Sequence, residues 1–115
     1  MKSLKMNLQS GKTKLHLIWS SDAVWRLSKI YQWYSIYETE SRAKKVVNSI
    51  KKIARSIPQN PYKHAQCFDI VIPIPEIRKA LVYKTYWIIF EIESSKIIIL
   101  DIVHGAINPE NYKNI

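Results

Sequence analysis

The hydrophobic positions of this 115-residue chain change their period near its middle. Residues Lys14 to Trp19 alternate between apolar and polar side chains, which predicts a short strand. From Asp22 to about Tyr37 the apolar residues recur every three or four positions, which predicts an amphipathic helix. The preceding Ser20 and Ser21 are suitable N-cap residues for this helix.

A second helix is predicted from Arg42 to Ile57, with small and branched apolar residues on one face and cations around the rest. Pro58 ends it, because proline lacks the backbone donor that a helix interior needs. The short polar link from Glu38 to Ser41 predicts that the two helices form an antiparallel hairpin.

The remaining pattern is typical of strands rich in Ile, Val, Tyr and Trp. The segment Cys67 to Ile74 is predicted to be an edge strand or irregular lead-in, because it contains Pro73 and is followed by Pro75. Three further strands are predicted at Arg78 to Tyr83, Tyr86 to Glu93 and Lys96 to His104. The order β-α-α-β-β-β predicts an α+β domain, with an antiparallel sheet and the N-terminal helix hairpin packed on one face.

The length fits one domain, predicted at residues 14–112, after a flexible N-terminal extension at residues 1–13. Apolar runs such as Ile97 to Leu100 are far shorter than the roughly 20 residues of a membrane-spanning helix, so we expect no membrane partner. The start of the chain lacks the apolar stretch of a secretory signal. A lone cysteine, Cys67, fits a reducing compartment, and we expect a cytoplasmic protein.

Charge is distributed unevenly along the chain. Residues 1–57 hold 12 Lys or Arg and 3 Asp or Glu, whereas residues 58–115 hold 6 of each, so the whole net charge of +9 lies in the first half. This asymmetry predicts an anionic partner, although a solubilising charge is the alternative. The candidate contacts are cations of the second helix: Lys44, Lys51, Lys52 and Arg55.

The chain lacks the common signatures of catalysis. Its two glycines, Gly11 and Gly105, make no phosphate-binding loop, and its three histidines lack metal-ligand spacing, so we expect no cofactor and no metal. His104 ends the last predicted strand, where its side chain is suited to acid–base work or phosphate contact, or simply to a backbone hydrogen bond. The aromatic residues near the first helix are predicted to serve the core, with a surplus for a protein interface.

Several segments in this order and spacing resemble the RelE/ParE superfamily of toxins from type II toxin–antitoxin, or plasmid stabilisation, modules. They are the strand KLHLIW, the helix pair WRLSKIYQWY and SRAKKVVNSIKKIARSIPQNP, and the C-terminal half IRKALVYKTYWIIFEIESSKIIILDIVHGAINP. The resemblance runs from about Lys14 to Asn111. It implies a toxin neutralised by an acidic antitoxin in a hetero-oligomer. RelE-like members cleave mRNA on the ribosome, and ParE-like members inhibit DNA gyrase.

Two departures from the nuclease pattern favour the ParE-like branch. A cation that RelE-like nucleases carry after the tyrosine of the penultimate strand is replaced by Trp87, and another after the last strand is absent near Ile107. Such cations stabilise the charged transition state of RNA cleavage. The ParE-like branch also often carries an arginine near Ile107, so its own pattern is incomplete here.

The resemblance therefore implies a toxin that acts by binding. Arg78, Lys79 and His104 are the predicted contacts with the target or the antitoxin. The alternative is a RelE-like, metal-independent endoribonuclease that uses Arg78, His104 and Tyr112. A third reading is a degenerate member that binds only its antitoxin or DNA.

Overall fold

A computed structural model describes residues 15–66 and 76–105. In these ranges the chain forms strand β1 (His16–Trp19), helices α1 (Ser21–Tyr37) and α2 (Glu40–Ser56), two 3-10 helices (Ile57–Gln59 and Pro61–Lys63), and strands β2 (Ala65–Gln66), β3 (Glu76–Val82), β4 (Tyr86–Ile92) and β5 (Lys96–His104). The predicted extension at residues 1–13, the predicted strand Cys67 to Ile74, Ile107 and Tyr112 lie outside these ranges.

Both helices begin at hydroxyl N-caps. The Ser20 Oγ accepts a hydrogen bond from the Ala23 N–H at 3.0 Å, and the Thr39 Oγ1 accepts one from the Arg42 N–H at 3.0 Å. Each cap satisfies one of the N–H groups that a helix start leaves without an intrahelical partner. The predicted helices are confirmed to within two residues at each end. None of the described helices is both long enough and apolar enough to cross a membrane.

The sheet has the strand order β1-β5-β4-β3-β2. The three pairs of consecutive strands from β2 to β5 are antiparallel, as predicted for the consecutive late strands. Strand β1 is parallel to β5, with His16 opposite Lys96 and Trp19 opposite Ile99, so the sheet is mixed rather than wholly antiparallel. The predicted α+β arrangement is confirmed, with the short edge strand β2 added to it.

The core lies between the helix pair and one face of the sheet. Phe90 and Ile50 are fully buried there, in contact with apolar side chains from both helices and all three long strands. A smaller cluster on the opposite face of the sheet buries Ile89 and Val103 against Ile77, Trp87 and Leu100. Both faces of the sheet therefore carry apolar side chains, and only one of them is covered by the helices.

Candidate functional site

A groove of about 450 Å³ lies between α1 on one side and, on the other, the start of β4 and the end of β5. We call it the α1–β5 groove. Apolar and aromatic side chains form most of its lining, and two cations of α1 and a histidine complete it: Arg26, Lys29, Ile30, Trp33, Tyr34, Tyr86, Ile102, Val103 and His104. Grooves of this size and composition are typical of ligand and peptide sites.

Two tyrosines form part of this groove. The Tyr86 hydroxyl donates to the Tyr34 hydroxyl at 3.3 Å, and both side chains are mostly buried. Burial raises the pKa of Tyr86 well above its ordinary value, and the hydrogen bond to Tyr34 raises it further. Tyr86 is therefore neutral at physiological pH, and this part of the groove carries no charge of its own.

The structure places His104 in the lining of the groove, at the end of β5. Its exposed ring lies edge-on to the Tyr86 ring, with 5.4 Å between the centroids. The next residue, Gly105, donates its backbone N–H to the Thr85 carbonyl. A Cβ at Gly105 would lie 2.7 Å from that oxygen, which is too close for ordinary contact. Glycine thus allows the strand end that carries His104 to lie against the β3–β4 turn.

The cations of α1 that line the groove are partly engaged. Arg26 forms an ion pair with Asp101, with its Nε 3.2 Å from Oδ1, and its guanidinium lies 5.3 Å from the Trp25 ring centroid. The Lys29 ammonium also lies 5.3 Å from the centroid of that ring. Trp25 is thereby flanked by two positive charges at the edge of the α1–β5 groove.

Arg78 lies elsewhere and has several partners. It forms an ion pair with Glu76, with Nη2 2.7 Å from Oε2, and its Nη1 donates to the His64 carbonyl at 2.6 Å and the Tyr62 carbonyl at 3.3 Å. Only 16% of its side chain is exposed. Arg78 is opposite Phe90 and His104 is opposite Tyr86, which separates them by about 13 Å along β4. The structure does not bring these two predicted residues together.

Lys79 points to the other face of the sheet, because successive residues of a strand alternate. Its ammonium lies 4.8 Å from the centroid of the Trp87 ring. Trp87 occupies the position where RelE-like nucleases carry a cation, and here its ring contacts the Lys79 ammonium. The four predicted cations of α2 (Lys44, Lys51, Lys52 and Arg55) are exposed, and none of them lines the α1–β5 groove.

The sequence predicts surplus aromatic residues near α1 but does not predict the groove beside them. Trp25, Trp33, Ile36 and Tyr37 are between 51% and 70% exposed. The spacing of Trp25, Lys29 and Trp33, four residues apart, was the available signal, because it places all three along one side of a helix. The contribution of β5 was not predictable from spacing within α1. In the described ranges, no cluster of three or more His, Cys, Asp or Glu is placed to hold a metal ion.

These features define a class: a small α+β domain with a basic helix pair on its sheet and an apolar, cation-lined groove for a partner. The comparisons with known proteins identify the family. A family model described as the ParE toxin of the type II toxin–antitoxin system parDE matches residues 17–109. The chain belongs to this family, and it is a toxin of the type II toxin–antitoxin class, which has an antitoxin as its partner.

One similar solved structure is described as the chromosomal ParDE toxin–antitoxin system from P. aeruginosa. The match has a TM-score of 0.67 and 21% sequence identity, and it covers 81% of this chain and 98% of that one. At this identity the likeness concerns the fold. The search of curated proteins found no match to the sequence.

Proposed function

We propose that this toxin acts by binding a cellular target, with DNA gyrase as the target expected of a ParE-like protein, and that an acidic antitoxin neutralises it. The single observation that carries the proposal is the α1–β5 groove with the exposed aromatic side chains next to it. Together they form a surface suited to a protein partner.

The composition of this surface supports a protein partner. Trp, Tyr and Arg are the residue types that most often dominate the binding energy of protein interfaces. Here Trp33 lies in both the groove and the exposed side of α1, and Arg26 also lines the groove. Contiguous exposed aromatic surface of this kind is costly in water, so a partner that covers it gains the free energy of its burial.

The charge of the chain supports an acidic antitoxin. The net charge is +9, and the groove lining includes two cations and no carboxylate. An amphipathic segment with apolar residues against Trp33 and carboxylates against Lys29 and Arg26 would complement this lining. Such a segment would also be steered toward the toxin by the long-range field of the positive charge.

The environment of Arg78 supports binding over cleavage. A guanidinium that stabilises a cleaved phosphate must have N–H groups aimed at the substrate. Three of the Arg78 nitrogens are instead directed at Glu76 and at the carbonyls of Tyr62 and His64. Lys79, on the opposite face of the sheet, lies against Trp87. His104 is about 13 Å along the sheet from Arg78, so these two cannot act on the same phosphate without rearrangement.

The test is induced expression of this chain alone in a bacterial host, with the ends of ribosome-bound transcripts mapped after induction. We expect growth to stop while the transcripts stay intact. Codon-phased cuts would overturn the proposal in favour of the nuclease that uses Arg78, His104 and Tyr112. Continued growth would overturn it in favour of a degenerate member of the family.

A matched pair of histidine variants then tests the groove. His104 lies in the groove lining, whereas His16 is an exposed histidine on edge strand β1. We expect His104→Gln to weaken growth arrest or its relief by the antitoxin, and His16→Gln to leave both unchanged. Equal behaviour of the two variants would contradict a role for the groove.

A further inference from the structure

The solvent side of α2 carries a row of positive charge that the groove does not use. Seven of the exposed residues of α2 form this row, five cations and two small polar residues: Ser41, Lys44, Lys45, Asn48, Lys51, Lys52 and Arg55. At about 100° per residue they fall within an arc of about 120°, and the cations extend over about 16 Å of helix. We call these seven residues the α2 cationic face. The buried residues of α2, such as Val46 and Ile50, lie on the opposite side.

This positive charge has little counter-charge in the part of the chain that the structure describes. The sequence contains no Asp or Glu from Ser41 to Phe68. The one carboxylate of α2, Glu40, accepts a hydrogen bond from the Tyr31 hydroxyl at 3.0 Å. The ion pairs among the described residues involve Arg26, Arg42, Arg78 and Lys96, none of which belongs to the α2 cationic face. Glu40 lies one turn before Lys44, at one end of the face, and the other four cations have no carboxylate on the helix.

The residue types on this face select the kind of anion. A protein partner needs an apolar centre, and lysine is depleted at the centre of protein interfaces. The seven residues of the α2 cationic face include no apolar and no aromatic side chain, and an apolar hollow lined by Trp19, Val24 and Leu27 adjoins it only at Lys51 and Arg55. Single-stranded nucleic acid is held largely by bases stacked on aromatic side chains, which none of the seven residues supplies. Lys, Arg, Ser and Asn side chains are the usual donors to the phosphates of a duplex.

We propose that the α2 cationic face binds the phosphate backbone of duplex DNA without sequence preference. The choice of DNA over duplex RNA rests on the proposed function, in which the target enzyme works on duplex DNA. The side chains are exposed along one side of the helix, so several phosphates along one strand lie within their reach. The toxin then has two separate surfaces: the α1–β5 groove for a protein and the α2 cationic face for DNA.

The experiment measures binding of the purified chain to a short fluorescent DNA duplex between about 50 mM and about 200 mM salt. The test variant replaces Lys44, Lys51 and Lys52 with Gln, which keeps the helix propensity similar. The matched control replaces Lys63, Lys84 and Lys96 with Gln, which removes the same charge from other parts of the molecule. A duplex RNA of the same sequence is titrated in parallel.

We expect the native chain to bind this DNA duplex and a second one of scrambled sequence equally. The test variant should bind at least about tenfold more weakly at low salt, and its slope of log K against log salt should fall by about 3, close to one unit per lost phosphate contact. The control variant should change little. Circular dichroism spectra of the two variants must match that of the native chain.

Three results would overturn the inference: no DNA binding by the native chain at low salt, equal weakening in both variants, or tighter binding to duplex RNA than to DNA. Growth arrest is scored separately for the same variants. A native chain that binds DNA through α2 but does not stop growth would contradict the proposed function and leave this inference standing.

Discussion

Arg78 is the residue whose surroundings say most about this protein. The sequence placed a cation at the start of a strand, as the family pattern requires, and suggested that it contacts a target. In the structure its guanidinium joins Glu76 on β3 to the Tyr62 and His64 carbonyls of the preceding segment. These contacts indicate that Arg78 fixes residues 61–66 against the sheet edge.

Replacing Arg78 tests this positioning role. Arg78→Ala should lower the free energy of unfolding by about 2–4 kcal/mol, because it leaves the Glu76 carboxylate and two carbonyls without their donor. Arg78→Lys should recover little of that loss, since an ammonium cannot reach three acceptors in a planar fork. Urea denaturation measures both. A variant of full stability that has lost growth arrest would instead support direct contact with a target.

His64 is the second residue that argues for a structural role in this segment. Its ring lies edge-on to Phe90, with 5.7 Å between centroids, and its Nε2 is buried without a hydrogen-bond partner in the described ranges. Desolvation lowers the pKa of His64 below its ordinary value of about 6.5, and Lys63 and Arg78 lower it further. The folded chain thus favours the neutral imidazole.

The lowered pKa predicts a direction for the pH dependence of stability. As the pH falls below about 6.5, the His64 side chain takes up a proton in the unfolded chain before it does so in the folded chain. The contribution of neutral His64 to the free energy of unfolding is therefore complete above that pH, and it is lost as the pH falls through the pKa of His64 in the folded chain. Denaturation at about pH 7.5 and about pH 5.5 should show lower stability at the acidic value. His64→Phe should reduce this difference. An unchanged difference would assign it to other groups.

The candidate residues differ in how far the sequence could predict their places. The sequence predicts His104 at the end of a strand, because strand pattern and a following glycine are local signals, and the structure places it in the lining of the α1–β5 groove. The partners of Arg78 were not predictable, since two of them are backbone carbonyls 14 and 16 residues away in sequence. The hydrophobic pattern of a sequence does not show which backbone carbonyls of a loop will accept a hydrogen bond from a distant side chain.

At the scale of elements, the β3–β4 hairpin is the least relaxed part of the described backbone. Its turn is closed by a hydrogen bond from the Thr85 N–H to the Val82 carbonyl at 2.9 Å, and both Tyr83 and Lys84 have positive φ, 56° and 58°. Glycine, asparagine and aspartate are the residues that usually take such positions. The Tyr83 hydroxyl lies 2.8 Å from the Ser49 Oγ, which links the turn to α2.

Relieving the turn should stabilise the protein. Lys84→Gly should raise the free energy of unfolding by about 0.5–1 kcal/mol, because glycine takes a positive φ without steric cost. The same exchange at Lys44, an exposed position inside α2, should lower it by about 1 kcal/mol. Thermal denaturation of both variants shows the opposite signs. Destabilisation by Lys84→Gly would mean that the lysine side chain contributes more than the backbone strain costs.

The elements themselves were largely predictable. The strand Lys96 to His104 was predicted with the bounds that it has, since continuous Ile and Val favour a buried strand between turn residues. The strand β2 was missed because a strand of two exposed residues has no period to read. The parallel pairing of β1 with β5 joins residues about 80 positions apart, which local patterns do not encode.

At the scale of the whole molecule, the excess positive charge belongs to the half of the chain that contains the helix pair. The helix pair carries the exposed aromatic side of α1 and the α2 cationic face, while the second half of the chain has no net charge and provides most of the sheet. Under our two proposals, one small domain would offer a groove for a protein and a separate face for DNA. A protein partner is in keeping with the family to which the chain belongs, because its toxins have an antitoxin as partner.

The most direct measurement of the central claim is the supercoiling of relaxed plasmid by purified DNA gyrase as the toxin is added. We expect supercoiling to fall in proportion to the toxin concentration, and plasmid incubated with toxin alone to stay intact. His104→Gln should inhibit less than His16→Gln at equal concentration. Undiminished supercoiling at a molar excess of folded toxin would contradict the account.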